Sequence, residues 1–99
     1  MRLPDHQRQV IKSVVAEIVG ADSRIWLFGS RVDDRKRGGD IDLLIMTNDI
    51  VPNRADMLCK LEGRFAKYLG DRKIDVLLKD ARTADAPIYK AAREKGLPL

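Results

Sequence analysis

Apolar residues in the first part of the chain recur with the spacing of an α-helix. They stand in pairs four residues apart and form one apolar stripe: Val10, Ile11, Val14, Val15, Ile18 and Val19. Pro4 near the start of this stripe and Gly20 just past its end are typical of helix boundaries. The pattern predicts a helix over residues 4–19.

Two later segments also show helical spacing. In the first, the apolar positions are Met57, Leu58, Leu61, Phe65, Tyr68 and Leu69. Asn53 is a candidate N-cap for this helix, and Gly63 within it is a candidate for a close helix–sheet contact. The last segment predicts a helix with Asp85 as N-cap and Pro87 in its first turn, ending near Gly96.

Three short apolar runs predict β-strands over residues 25–28, 40–46 and 73–78. The first is apolar on both faces, which is typical of a covered strand. One or two helical turns are expected after Ser30. Residues 1–99 therefore predict one α/β domain, in which a small β-sheet is backed by helices.

Three aspartates stand out within these strands. Asp40 and Asp42 are two residues apart in one strand, so their side chains share a face. Two adjacent like charges are unfavourable without a cation between them, and carboxylate oxygens suit Mg²⁺ or Mn²⁺. Asp75 interrupts another apolar strand, where an acid is costly to bury without a partner. If the two strands are neighbours, the three carboxylates form the ligand set of a two-metal phosphoryl-transfer site.

A glycine and a serine follow the first strand directly. A bend at Gly29 and Ser30 that leads into a helix N-terminus would leave backbone N–H groups free to hold phosphate. The basic segment 35–39 comes next and reads equally well as a solvated turn or as a nucleotide contact.

Composition narrows the class of protein. The chain is 44% hydrophobic and 34% charged, as in soluble globular proteins, and has no apolar run long enough to span a bilayer. Its single cysteine, Cys59, excludes an internal disulfide and fits a reducing cytoplasm. The net charge of +4 suits a nucleotide or an acidic partner but does not establish nucleic-acid binding.

Taken in order, these motifs resemble those of the nucleotidyltransferase superfamily that includes DNA polymerase beta. The resemblance rests on Phe-Gly-Ser-Arg at residues 28–31, Asp-Ile-Asp at residues 40–42, and Asp75 on a later strand. The chain resembles members of the minimal nucleotidyltransferase branch in its small size. Residues 88–96 are also similar to the closing helix of that branch. The resemblance implies a mixed sheet of the polymerase-beta palm type.

The resemblance also implies a reaction and a role for each motif. A nucleoside monophosphate, expected to be AMP from ATP, moves to a hydroxyl group and pyrophosphate is released. Asp40 and Asp42 would hold both metal ions, and Asp75 would ligate the acceptor-side ion and could receive the acceptor proton.

The glycine–serine motif would bind the other end of the nucleotide. Gly29 and Ser30 would cradle the β- and γ-phosphates, and Arg31 would neutralise charge on the leaving pyrophosphate. For Arg31, an ordinary surface arginine at a helix start is the alternative.

A chain of this length leaves no room for a second domain that grips an acceptor, so another chain is expected to supply that surface. The minimal branch implies a HEPN-type helical partner, often an RNase toxin, with a tyrosine as acceptor. Ile88, Tyr89 and Leu97 are candidate docking residues, with ordinary core as the alternative. Association of identical chains into a homo-oligomer is a further alternative.

Three other classes of function are alternatives to this one. They are an antitoxin that acts by contact with weak or lost catalysis, a small-molecule nucleotidyltransferase, and a basic nucleic-acid adaptor. Retention of all three aspartates argues against pure binding. The lack of an aromatic and basic stripe argues against the adaptor.

Overall fold

A computed structural model describes residues 3–28, 41–70 and 73–99 of the chain. The elements are α1 (Asp5–Ile18), β1 (Arg24–Phe28), β2 (Ile41–Met46), α2 (Arg54–Leu69), β3 (Ile74–Lys79), α3 (Pro87–Lys95) and β4 (Leu97–Pro98). The predicted order of the longer helices and strands is confirmed. The helical turns expected after Ser30 lie outside the described residues.

The strands form one mixed sheet with the order β3-β2-β1-β4. β1 is antiparallel to β2 and to β4, whereas β2 and β3 are parallel. The sheet and the three described helices agree with the polymerase-beta palm type that the family resemblance implied.

The hydrophobic core lies between one face of this sheet and the helices α1 and α2. Alternate strand residues point into it, because successive side chains of a strand lie on opposite faces. The fully buried members from the strands and helices include Leu27, Ile41, Leu43, Ile45, Leu61, Phe65 and Ile11. The apolar stripes predicted for α1 and α2 are therefore the faces that pack on the sheet.

The opposite face of the sheet is partly covered by α3, which packs on β1 and β2. Arg93 of α3 donates from Nη1 to the sulfur of Met46, at 3.5 Å, and from Nη2 to Asp85, at 2.8 Å. Met46 is on the same face of β2 as Leu44 and Asp42, which are two and four positions before it. The helix α3 and the side chain of Asp42 thus lie on the same side of the sheet.

The helix boundaries confirm one predicted cap and correct another. Asn53 caps α2, and its side chain accepts a hydrogen bond from the Asp56 N–H at 3.0 Å. At α3 the N-cap position belongs to Ala86 and no side chain caps it. Asp85 was predicted as that cap, but its carboxylate is bound by Arg93 instead.

Two further features differ from the predictions. Gly63 makes no close helix–sheet contact, because a β-carbon on it would meet nothing within 4 Å. Strand β4 was not predicted, since two residues, one of them Pro98, carry no strand pattern of their own. It forms because Leu97 and Pro98 pair with Leu27 and Trp26 of β1.

A buried carboxylate stabilises the end of the sheet at which β3 terminates. Asp80 is only 6% exposed and accepts hydrogen bonds from the N–H of Val51 at 2.8 Å, the N–H of Arg82 at 3.0 Å and the hydroxyl of Thr83 at 2.8 Å. These donors, with the Val51 N–H foremost, lower the pKa of Asp80 from 3.8 to about 2. The carboxylate thereby joins the segment before α2 to the turn after β3.

In the described ranges, no helix combines the length and apolar character needed to cross a membrane.

Candidate active site

Asp42 and Asp75 are each the second residue of a strand, and they are paired in register across β2 and β3. Paired residues of neighbouring strands lie roughly 4.8 Å apart and point to the same face. Ile41 and Leu43, which flank Asp42, are fully buried in the core. The two carboxylates therefore share the face that carries α3, with Asp42 half-buried and Asp75 exposed.

Phe28 extends this pairing into a row across three strands. It is the last residue of β1 and is paired with Asp42. The row Phe28–Asp42–Asp75, here called the aspartate row, crosses the sheet at the end of β1 and at the beginnings of β2 and β3.

The other predicted site residues, Gly29, Ser30, Arg31 and Asp40, lie outside the described residues. Chain connectivity attaches Gly29 to Phe28, and Asp40 to Ile41. Both predicted motifs are therefore bonded to the strand ends that form or adjoin the aspartate row. The structure brings Asp42 and Asp75 together and leaves the remaining assignments as predictions.

The chemistry of this pair fits a divalent metal. Two carboxylates on adjacent strands repel each other, and their hard oxygen atoms are the donors that Mg²⁺ and Mn²⁺ prefer. Among residues 3–28, 41–70 and 73–99, no group of three or more histidine, cysteine or acidic side chains could hold a metal. The described part of the site thus supplies two of the three predicted ligands.

The C-terminal end of α3 closes against β1 beside the aspartate row. A β-carbon on Gly96 would lie 2.3 Å from the carbonyl oxygen of Ala92, 2.9 Å from that of Leu27 and 3.3 Å from the β-carbon of Phe28. Only glycine permits this approach without displacement. The sequence marked Gly96 as a helix end, and no local pattern could reveal its contact with β1.

A cleft of about 310 Å³ opens at the outer edge of β3, next to Asp75. It is lined by α2 and by the start of β3, through Glu62, Phe65, Ala66, Lys73, Ile74 and Asp75. We call it the edge cleft. The sequence did not predict it, because its residues come from two elements whose spatial relation depends on strand order.

The candidate docking residues are placed differently from one another. Ile88 is 55% exposed on α3, whereas Tyr89 is partly buried. Leu97 is partly buried in β4. Of the three, Ile88 is the most accessible to a partner.

Comparison with known families decides the general function. The family model described as nucleotidyltransferase domain matches residues 8–95. The chain belongs to this nucleotidyltransferase family. The match spans all three described helices except the start of α1, and it includes both residues of the aspartate pair. A search of curated proteins finds no match.

Membership assigns this domain to the transferases that move a nucleotidyl group, with a nucleoside triphosphate as donor. The family generally uses divalent metal ions, in agreement with the paired carboxylates.

Proposed function

We propose that this nucleotidyltransferase moves AMP from ATP to a hydroxyl group on a partner protein. The observation that carries the proposal is the in-register pairing of Asp42 with Asp75 on one face of the sheet. In the reaction the acceptor oxygen forms a bond to the α-phosphorus. The bond from that phosphorus to the bridging oxygen breaks, and pyrophosphate leaves.

Each site residue has a proposed task. Asp42, together with Asp40, would hold divalent metal, which would neutralise charge on the triphosphate. Asp75 would ligate the acceptor-side metal ion, and it can receive the proton of the acceptor hydroxyl. The exposure of Asp75, beside the edge cleft, supports its place on the acceptor side.

The phosphate end of the donor is assigned to the segment after β1. Gly29 and Ser30 cradle the β- and γ-phosphates, and Arg31 neutralises charge on the leaving group. Support comes from the sequence motif and from its covalent attachment to Phe28, the end of the aspartate row.

The proposed acceptor is a tyrosine hydroxyl of a HEPN-type RNase, which AMP would silence, so that the chain acts as an antitoxin. This step is supported by the resemblance to the minimal nucleotidyltransferase branch. The competing function is an antitoxin that neutralises the same partner by contact alone, and a small-molecule acceptor is a further alternative.

Co-expression with the product of the adjacent gene, followed by intact mass spectrometry, tests the proposal. A mass increase of one or more adenylyl units on the partner, lost in Asp42→Asn, is expected. Asp49→Asn is the matched control, because it makes the same change at an exposed position beyond the other end of β2. A stable complex without any mass change would favour neutralisation by contact.

A further inference from the structure

Strand β3 forms one edge of the sheet, and its backbone groups alternate between two directions. The N–H of Ile41 donates to the carbonyl of Lys73, and that of Thr47 donates to the carbonyl of Lys79. The backbone N–H and C=O groups of the odd-numbered residues in this segment therefore point toward β2. It follows that Ile74, Val76 and Leu78 present their N–H and C=O groups outward.

One end of this outer edge is closed by an arginine from α2. Arg54 donates from Nη1 to the outward carbonyl of Leu78, and from Nη2 to the hydroxyl of Thr83 at 2.7 Å. A charged side chain across a strand edge obstructs pairing with another strand. In the described part of the chain, no partner is seen for the outward groups of Ile74 and Val76.

The open end of the edge is also the end that carries the site. Asp75 lies between Ile74 and Val76 in sequence and points to the face of the aspartate row. The edge cleft occupies the same end, with the polar side chains of Glu62 and Lys73 and an apolar wall that includes Phe65. Its volume of about 310 Å³ suits one large side chain rather than a folded domain.

We propose that the acceptor docks as an extended polypeptide segment along the open edge of β3. The segment forms backbone hydrogen bonds with Ile74 and Val76, and its hydroxyl-bearing residue lies beside Asp75. This rests on the proposed function, since it names how the acceptor of that same site is held. A peptide backbone alternates donors and acceptors and so complements a strand edge.

The charge of the edge cleft favours a peptide over a nucleic acid. Phosphodiester oxygens only accept hydrogen bonds and carry negative charge. Glu62 and Asp75 repel that charge, and among the described residues that line the cleft Lys73 is the single cationic one. A basic residue beside the acceptor tyrosine would instead be attracted to Glu62.

The test uses the full chain without nucleotide or metal, and follows backbone amide resonances by NMR. The probe is the capped peptide acetyl-Val-Thr-Lys-Tyr-Lys-Val-amide at millimolar concentration. We expect the amide signals of Ile74 and Val76 to shift on titration. The same peptide with all backbone nitrogens methylated keeps its side chains and charges, and should bind about tenfold more weakly or not at all, because it cannot donate to the edge.

Variants on the protein side complete the test. Val76→Pro removes an outward N–H that the sheet does not use, and should weaken peptide binding about tenfold. If Val76→Pro does not fold, the methylated peptide still decides the question. Asp42→Asn should bind the peptide as the unaltered chain does while losing transfer, which separates failure of docking from failure of catalysis.

Three results would overturn the proposal. The first is a peptide titration that leaves both amide signals unmoved. The second is equal binding of the methylated peptide. The third is a short single-stranded RNA that shifts these amides when the peptide does not, which would assign the edge to a nucleic-acid acceptor.

Discussion

Gly96 and Phe28 are in such close contact that a β-carbon on Gly96 would come within 3.3 Å of that of Phe28. Because Phe28 is paired with Asp42, the end of α3 is packed directly against the aspartate row. A side chain at residue 96 must therefore move either α3 or the end of β1.

Gly96→Ala should lower the free energy of unfolding by about 1–3 kcal/mol, the usual cost of forcing extra atoms into a packed region. The urea midpoint measures this change. Gly63→Ala is the matched control, because its β-carbon meets nothing within 4 Å and alanine favours the helix. The control should be neutral or gain up to about 1 kcal/mol. Equal midpoints for the two variants would show that the contact at Gly96 is not tight.

Asp75→Asn should separate the metal-free stability of the protein from its activity. Removing one of two neighbouring like charges relieves repulsion, so the metal-free variant should melt at the same or a higher temperature. Mg²⁺ with ATP should raise the melting temperature of the unaltered chain, because a ligand that binds only the folded state stabilises it. That increase should be absent in the variant.

Transfer by Asp75→Asn should fall by about a hundredfold or more, the scale seen when one preorganised polar group is removed from an active site. Asp49→Asn should keep both the metal-dependent increase in melting temperature and the activity. A full metal response in Asp75→Asn would remove Asp75 from the metal site.

Asp80 should give the folded protein a distinct acid sensitivity. Its pKa is about 2 in the folded state against 3.8 ordinarily, because the Val51 N–H and the Thr83 hydroxyl stabilise the carboxylate. A lowered pKa means that the stabilisation is fully present above pH 3.8 and is lost as the pH falls toward 2. Urea midpoints of the unaltered chain should decline across that window.

Asp80→Asn should be less stable at neutral pH and should show a flatter decline between pH 3.8 and about 2. Asp22→Asn, which changes an exposed turn residue, is the control. Parallel pH curves for Asp80→Asn and the unaltered chain would mean that other carboxylates govern the acid transition.

The sequence predicted the elements well where periodicity carries the information. The alternation around Asp42 and the single acid in the strand of Asp75 both place a carboxylate on the face opposite the core, as the structure has them. The neighbour relation of their strands could only be assumed, because strand order depends on packing between distant segments.

Features made by long-range contact were not predictable in the same way. Asp85 has the residue type and position of an N-cap, yet Arg93 competes for its carboxylate one helix length away. The sequence favoured Gly63 for a close helix–sheet contact and marked Gly96 only as a helix end, whereas the folded arrangement shows that Gly96 is the one packed against the sheet. The edge cleft likewise exists because β3 lies at the edge next to α2.

Arg54 should be the residue that keeps the remaining edge of β3 from pairing with other chains. Its guanidinium binds the Leu78 carbonyl and the Thr83 hydroxyl, so Arg54→Ala frees an outward carbonyl and extends the open edge beyond Val76. Loss of these charge-assisted hydrogen bonds should lower the free energy of unfolding by about 1–2 kcal/mol.

A longer exposed edge should also promote association between copies, since unpaired strand edges template further pairing. Sedimentation velocity over a range of protein concentrations measures this association. Arg82→Ala is the control, because Arg82 is exposed on the turn after β3 and binds Asp80 through its backbone N–H alone. The contradicting result is an Arg54→Ala variant that is monomeric at every concentration at which Arg82→Ala is monomeric. Something other than Arg54 would then protect the edge.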